Sequence, residues 1–181
     1  MQSNKYCING EGAKMSIIKL GFKDRTLLFA KLSSIAYNNT KTATSQAKRL
    51  GFTTTEFYDR DGAQAYRFMN KTDIVIACRG TQPNEFNDIR ADLRAVPVMA
   101  ETVGKVHLGF KQEVDDLWPM VCEDINRKVN LKKDLWFCGH SLGAAMATIM
   151  ASRCLHNEEL NDPVELHTYG SPRVGWRKYV K

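Results

Sequence analysis

Leu135-Trp136-Phe137-Cys138-Gly139-His140-Ser141-Leu142-Gly143-Ala144-Ala145-Met146-Ala147 is the stretch that decides how this chain folds. Four apolar residues in a row, with no polar alternation, read as a strand covered on both faces. An Ala-rich run begins almost at once and predicts a helix from Leu142 to about His156. Between them lies G-x-S-x-G in the one setting that gives the pattern meaning: strand, sharp turn, helix. Such a turn lifts a serine hydroxyl above the carboxyl end of a sheet. Its glycines are required because neighbouring backbone passes too close for a Cβ. Ala144, Ala145 and Ala147 let the helix lie tight against the sheet. Its N-terminus aims free N–H groups and a positive dipole end at the same spot, a place suited to a negatively charged oxygen.

Working outward, Ile74-Val75-Ile76-Ala77-Cys78 is a second buried strand, ending in Arg79-Gly80-Thr81. Thr81 can offer a second backbone N–H, and a hydroxyl, beside that of Leu142. Before it, Phe52 to Tyr58 and Ala65 to Met69 read as a hairpin around Asp59-Arg60-Asp61-Gly62. Asp24 can cap a helix from about Arg25 to Tyr37, with Leu28, Leu32, Ile35 and Ala36 on one stripe. Asn38-Asn39 stops that helix, and a short one follows over 44–50. Leu108 to Val129 keeps helical spacing through Phe110, Val114, Leu117, Val121, Ile125 and Val129, with Pro119 expected to kink it. Val164 to Tyr169 is a third strand. Strands alternating with long helices predict an α/β fold: a mainly parallel sheet with an antiparallel hairpin at one edge.

Composition narrows the function. The 181 residues make one domain, or a large piece of one, over 24–181, behind a polar leader of residues 1–23 expected to be loosely held. Hydrophobic residues are 43% and charged residues 25%, which excludes a disordered tail or a collagen-like repeat. No apolar run approaches the ~20 residues of a membrane span. Lys plus Arg is 26 against 20 Asp plus Glu. The charges are mixed along the chain, so nucleic acid is not the expected partner. The nearest thing to a basic cluster is Arg173, Arg177, Lys178 and Lys181.

The five cysteines are odd in number and lack C-x-x-C spacing, so neither a disulfide framework nor a zinc site fits. Reduced core thiols in a cytoplasmic protein are the expectation, and the opening residues are not expected to act as a secretory signal. Asp115-Asp116 and Glu158-Glu159 fall on predicted solvated faces. No phosphate-binding glycine motif follows a strand. No metal or cofactor is therefore expected.

Taken in order, five segments resemble the class 3 lipase family, the fungal-type triacylglycerol lipases of the α/β-hydrolase fold. They are Arg79-Gly80-Thr81, Asp88 to Val98, Val106-His107-Leu108-Gly109-Phe110, the Gly139 to Gly143 elbow, and Thr168 to Gly175. The resemblance covers about Asp24 to Lys181. It implies that Ser141 is the nucleophile, that Thr81 and Leu142 are oxyanion donors, and that Pro83 to Arg94 forms a lid over an acyl groove. It implies a lipid or ester substrate and, with it, contact with a lipid surface.

A serine nucleophile also needs a base and an acid, which in this fold follow it in the order Ser, Asp or Glu, His. The family's acid and base lie beyond the loop ending at Gly175, and this chain ends at Lys181. After Ser141 the one Asp is Asp162 and the histidines are His156 and His167. Asp162 precedes a strand, at the wrong end of the sheet. His167 is mid-strand and His156 ends a helix leading away. No acid or base is expected within this chain, and the α/β-hydrolase domain reads as truncated at its C-terminus. His140 and His107 read as buried, hydrogen-bonded structural residues. Two functions stay open: the nucleophile-bearing part of a lipid esterase, or a non-catalytic lipid- or partner-binding module that a second, complementing C-terminal chain completes.

Overall fold

A computed structural model describes residues 16–80 and 96–179. Helices α1 (Phe22–Ile35) and α2 (Thr40–Arg49) lead into strands β1 (Thr54–Arg60), β2 (Ala63–Met69) and β3 (Asp73–Cys78). A small hairpin, β4 (Pro97–Met99) and β5 (Lys105–His107), precedes helix α3 (Leu108–Ile125). Strand β6 (Asp134–His140), helix α4 (Leu142–Leu155) and strand β7 (Pro163–Tyr169) complete the order.

The main sheet runs β1-β2-β3-β6-β7. β2 is antiparallel to both neighbours, while β3, β6 and β7 pair in parallel. Four of the five strands therefore point the same way. Asp61 and Gly62, at φ 52° and 91°, turn β1 into β2; two left-handed residues match the twist of a hairpin.

The unbroken apolar runs are explained by two cores, one on each face. Ile74, Ile76 and Cys78 of β3 and Leu135 and Phe137 of β6 pack with Val114, Leu117, Val121, Met146 and Met150 of α3 and α4. The alternate residues Val75, Ala77, Trp136 and Cys138 pack with Phe29, Leu32 and Ile35 of α1, with Ala43 and Ala47 of α2 beside them. Alternation along each strand thus feeds two helix layers rather than one core and water. Burial pushes the Cys138 and Cys154 thiols up to about 12 and Cys78 higher still. These three thiols are expected to resist iodoacetamide in the native protein and to react promptly in denaturant, as counted by mass spectrometry.

Several expectations are corrected. Gly21, not Asp24, is the N-cap of α1, and Asp24 lies in its first turn. Asn39 does not stop a helix but starts α2, its side chain accepting the Thr42 N–H at 2.9 Å. Asparagine suits either role, and only the local backbone decides. Helix α3 runs on through Pro119 and ends at Ile125, leaving Val129 exposed instead of on the apolar stripe. The β4–β5 hairpin is not anticipated from the sequence, because strands of three residues carry little periodicity. Within the leader, Ile17 is buried and its N–H meets the Asp73 carboxylate at 3.3 Å. Residues 1–15, the rest of the leader, lie outside the described residues.

A buried polar knot ties α3 to the hairpin. The Asp124 carboxylate accepts from Arg67 Nη1 at 2.5 Å and from the Tyr58 hydroxyl. Asn130 Nδ2 donates to the Asp124 carbonyl at 2.8 Å. Burial and the neighbouring carboxylate hold the Tyr58 hydroxyl protonated. Asp115, read as solvated, is also engaged: it pairs with Lys111 at 2.7 Å and with Arg153.

Candidate active site

Ser141 joins β6 to α4 at φ 55° and ψ −126°. A non-glycine residue there is strained, and such strain persists only where the surroundings enforce it. Three contacts enforce it. The Ser141 N–H donates to the Tyr169 carbonyl of β7 at 2.9 Å. A Cβ on Gly139 would lie 2.2 Å from the Gly143 carbonyl oxygen, so the two arms of the turn touch. A Cβ on Gly143 would lie 2.2 Å from the Cys78 carbonyl oxygen, so the helix start rests on the end of β3. Ser141 retains 5% of its exposure.

The first hydrogen bonds of α4 run from the Ala144 and Ala145 amides to the Ser141 carbonyl. The Leu142 and Gly143 amides stand ahead of them, at the positive mouth of the helix. Thr81 and the segment 83–94 expected as a lid lie outside the described residues. Gly80, just before Thr81, is wedged against the turn: a Cβ there would be 2.3 Å from the Tyr37 hydroxyl and 2.6 Å from the His140 carbonyl.

Tyr37 was not legible from sequence, because it lies 103 residues before the turn it supports. Its hydroxyl sits 3.0 Å from His140 Nδ1 and 3.4 Å from the His140 carbonyl oxygen. Burial raises the affinity of that hydroxyl for its proton, against the pull of the Gly80 amide and the Arg79 charge. His140 is hydrogen-bonded as expected but exposed rather than buried, since it is the last residue of β6 and lies beyond the helix layers.

The remaining titratable candidates are elsewhere. His107 is buried, caps α3 by accepting the Gly109 N–H at 3.2 Å, and stacks on Phe110. His167 is bound to Glu165 at 2.8 Å and stacks on Phe29 within the α1 layer. His156 caps the far end of α4, about 22 Å along the helix from Ser141. Asp162 is exposed ahead of β7, at the amino end of the sheet. None of the last three is brought to the serine. Among the described residues, no cluster of His, Cys, Asp or Glu could hold a metal ion, and no helix is long and apolar enough to cross a membrane.

Comparison with known proteins follows the same lines. Residues 75–181 match the family model described as lipase (class 3). Toxin TseL of Vibrio cholerae serotype O1 is 28% identical over 169 residues, covering 70% of this chain and 26% of the toxin. The Rhizomucor miehei triacylglyceride lipase superposes with a TM-score of 0.67 at 21% identity, over 84% of this chain and 63% of that one. The lipase of Rhizopus microsporus var. chinensis gives 0.63 at 20% identity, over 83% and 58%. The chain thus spans about a quarter of the toxin and about three fifths of the fungal enzymes. At these identities the structural likeness speaks for a shared fold.

Proposed function

Because this chain belongs to the class 3 lipase family, we propose that it is the nucleophile-bearing part of a serine hydrolase acting on carboxylic esters of lipids. The observation that carries the reading is the strained backbone of Ser141 between β6 and α4. In this mechanism the Ser141 Oγ attacks the ester carbonyl carbon and its proton passes to a general base. The carbonyl oxygen, now negative, is held by the Leu142 amide and, we infer, by Thr81. Collapse expels the alcohol, which takes the proton, and water then releases the acid from the acyl-serine. The base and its orienting acid come, in this reading, from polypeptide outside the 181 residues. No metal or organic cofactor takes part.

Alone, the chain is expected to hydrolyse p-nitrophenyl butyrate barely above background, since loss of the base costs ~10⁶ in turnover. A fluorophosphonate probe is expected to label Ser141 slowly, and Ser141→Ala is expected to take no label at the turn. Label landing on another residue, or robust turnover that survives Ser141→Ala, would overturn the assignment. A second reading, a scaffold that a partner chain completes, is favoured by β7: it is the sheet's edge, with Val164 and Leu166 partly exposed.

A further inference from the structure

The β4–β5 hairpin carries a third, irregular strand on its far edge. Val106 bridges Gly175 in antiparallel fashion, and the Trp176 N–H donates to the Lys105 carbonyl at 2.9 Å. With Met99 opposite Lys105, the register places Met99, Lys105 and Trp176 in one row across three strands. Val98 and Val106, the neighbouring row, turn into the core. The outward row is unusual for a surface: Met99 is 65% exposed, and Val103 in the adjoining hairpin turn is 45% exposed.

The charges around this row are of one sign. Arg173 lies over the Trp176 ring at 6.0 Å, Lys178 packs beside Gly104 in the hairpin turn, and Arg177 and Lys105 are exposed. Within 96–111 and 171–179 the one acid is Glu101, and it is drawn into ion pairs with Lys111 and Arg153. The outer face therefore combines exposed aliphatic side chains, a tryptophan and four cations. Water-facing valine and methionine gain by leaving water, tryptophan favours the headgroup level, and cations are drawn to negative lipid.

We propose that this face, the hairpin together with residues 173–178, docks on an anionic lipid surface. Apolar contact and charge act as two weak signals that only together give stable attachment. The docking needs no chemistry at Ser141 and stands apart from the hydrolase reading.

The test is co-sedimentation of the full chain with vesicles of phosphatidylcholine, with and without about one third phosphatidylglycerol. Binding is expected to the anionic vesicles, to be weak to the neutral ones, and to fall in about 1 M salt, where screening acts within ~3 Å. Arg177→Glu with Lys178→Glu is expected to weaken anionic binding about 25-fold or more, at about fivefold per cation. Met99→Ser with Val103→Ser is expected to weaken it while preserving its salt dependence. All four positions are on the surface, so far-UV circular dichroism should match the parent. Ser141→Ala should bind as the parent does, which separates failure of docking from failure of the hydrolase reading. No vesicle binding, equal binding to both compositions, undiminished binding by either pair, or retention by duplex DNA in place of vesicles would overturn the proposal.

Discussion

Asp124→Ala is expected to lower the unfolding free energy by about 3–5 kcal/mol, the largest loss of any single substitution considered for this protein. The reason is what remains behind. Arg67, Tyr58 and Asn130 all direct donors at Asp124 in a buried setting. Removing the carboxylate leaves a guanidinium in low dielectric without its counter-charge, and a hydroxyl without its acceptor. For a chain of this length the melting temperature should fall by about 10–15 °C, read by differential scanning calorimetry. Removing both charges is a different experiment. Arg67→Met combined with Asp124→Leu should recover most of the loss, because no orphan charge is left. A melt unchanged by Asp124→Ala, or a double variant as unstable as the single one, would show that the knot does not act as a charge pair.

Gly143→Ala should cost about 3 kcal/mol, near the top of the range for overpacking, and should also suppress labelling of Ser141. Its added carbon would meet the Cys78 carbonyl oxygen at 2.2 Å and the Arg79 carbonyl carbon at 2.9 Å. Both are backbone, so no side chain can swing aside. The strand end or the helix start must shift, and Ser141 is fixed between them. Gly62→Ala is the control: φ is +91° but nothing lies within 4 Å of the new carbon. It should cost only the backbone strain, about 1 kcal/mol, and leave labelling intact. Equal melting temperatures for the two variants would show that crowding at the turn is unimportant.

Much of this architecture is legible in the chain itself, and the reasons differ by element. Ile74 to Cys78 and Leu135 to Cys138 are found because a strand sandwiched between helix layers has no polar face to interrupt its pattern. The turn at Ser141 is found because close backbone approach admits only glycine at two fixed offsets. Tyr37 is not found, since a single hydroxyl that reaches across the fold leaves no periodic trace. Arg67 and Asp124 are missed for a related reason. Each looks like an ordinary surface charge until the fold brings β2 and α3 together. His140 is misjudged because burial near a strand end depends on where the covering helices stop.

The strand order also sets a timetable for synthesis. β1, β2 and β3 are successive neighbours, so that meander can close by short turns as soon as Cys78 has emerged. The other edge of β3 must wait for β6, which arrives only after the hairpin and α3 have been made. Non-local parallel pairing is slow to form. During that interval the Ile74-Val75-Ile76 run presents an open, sticky border to the cell, so aggregation of nascent chains should concentrate there.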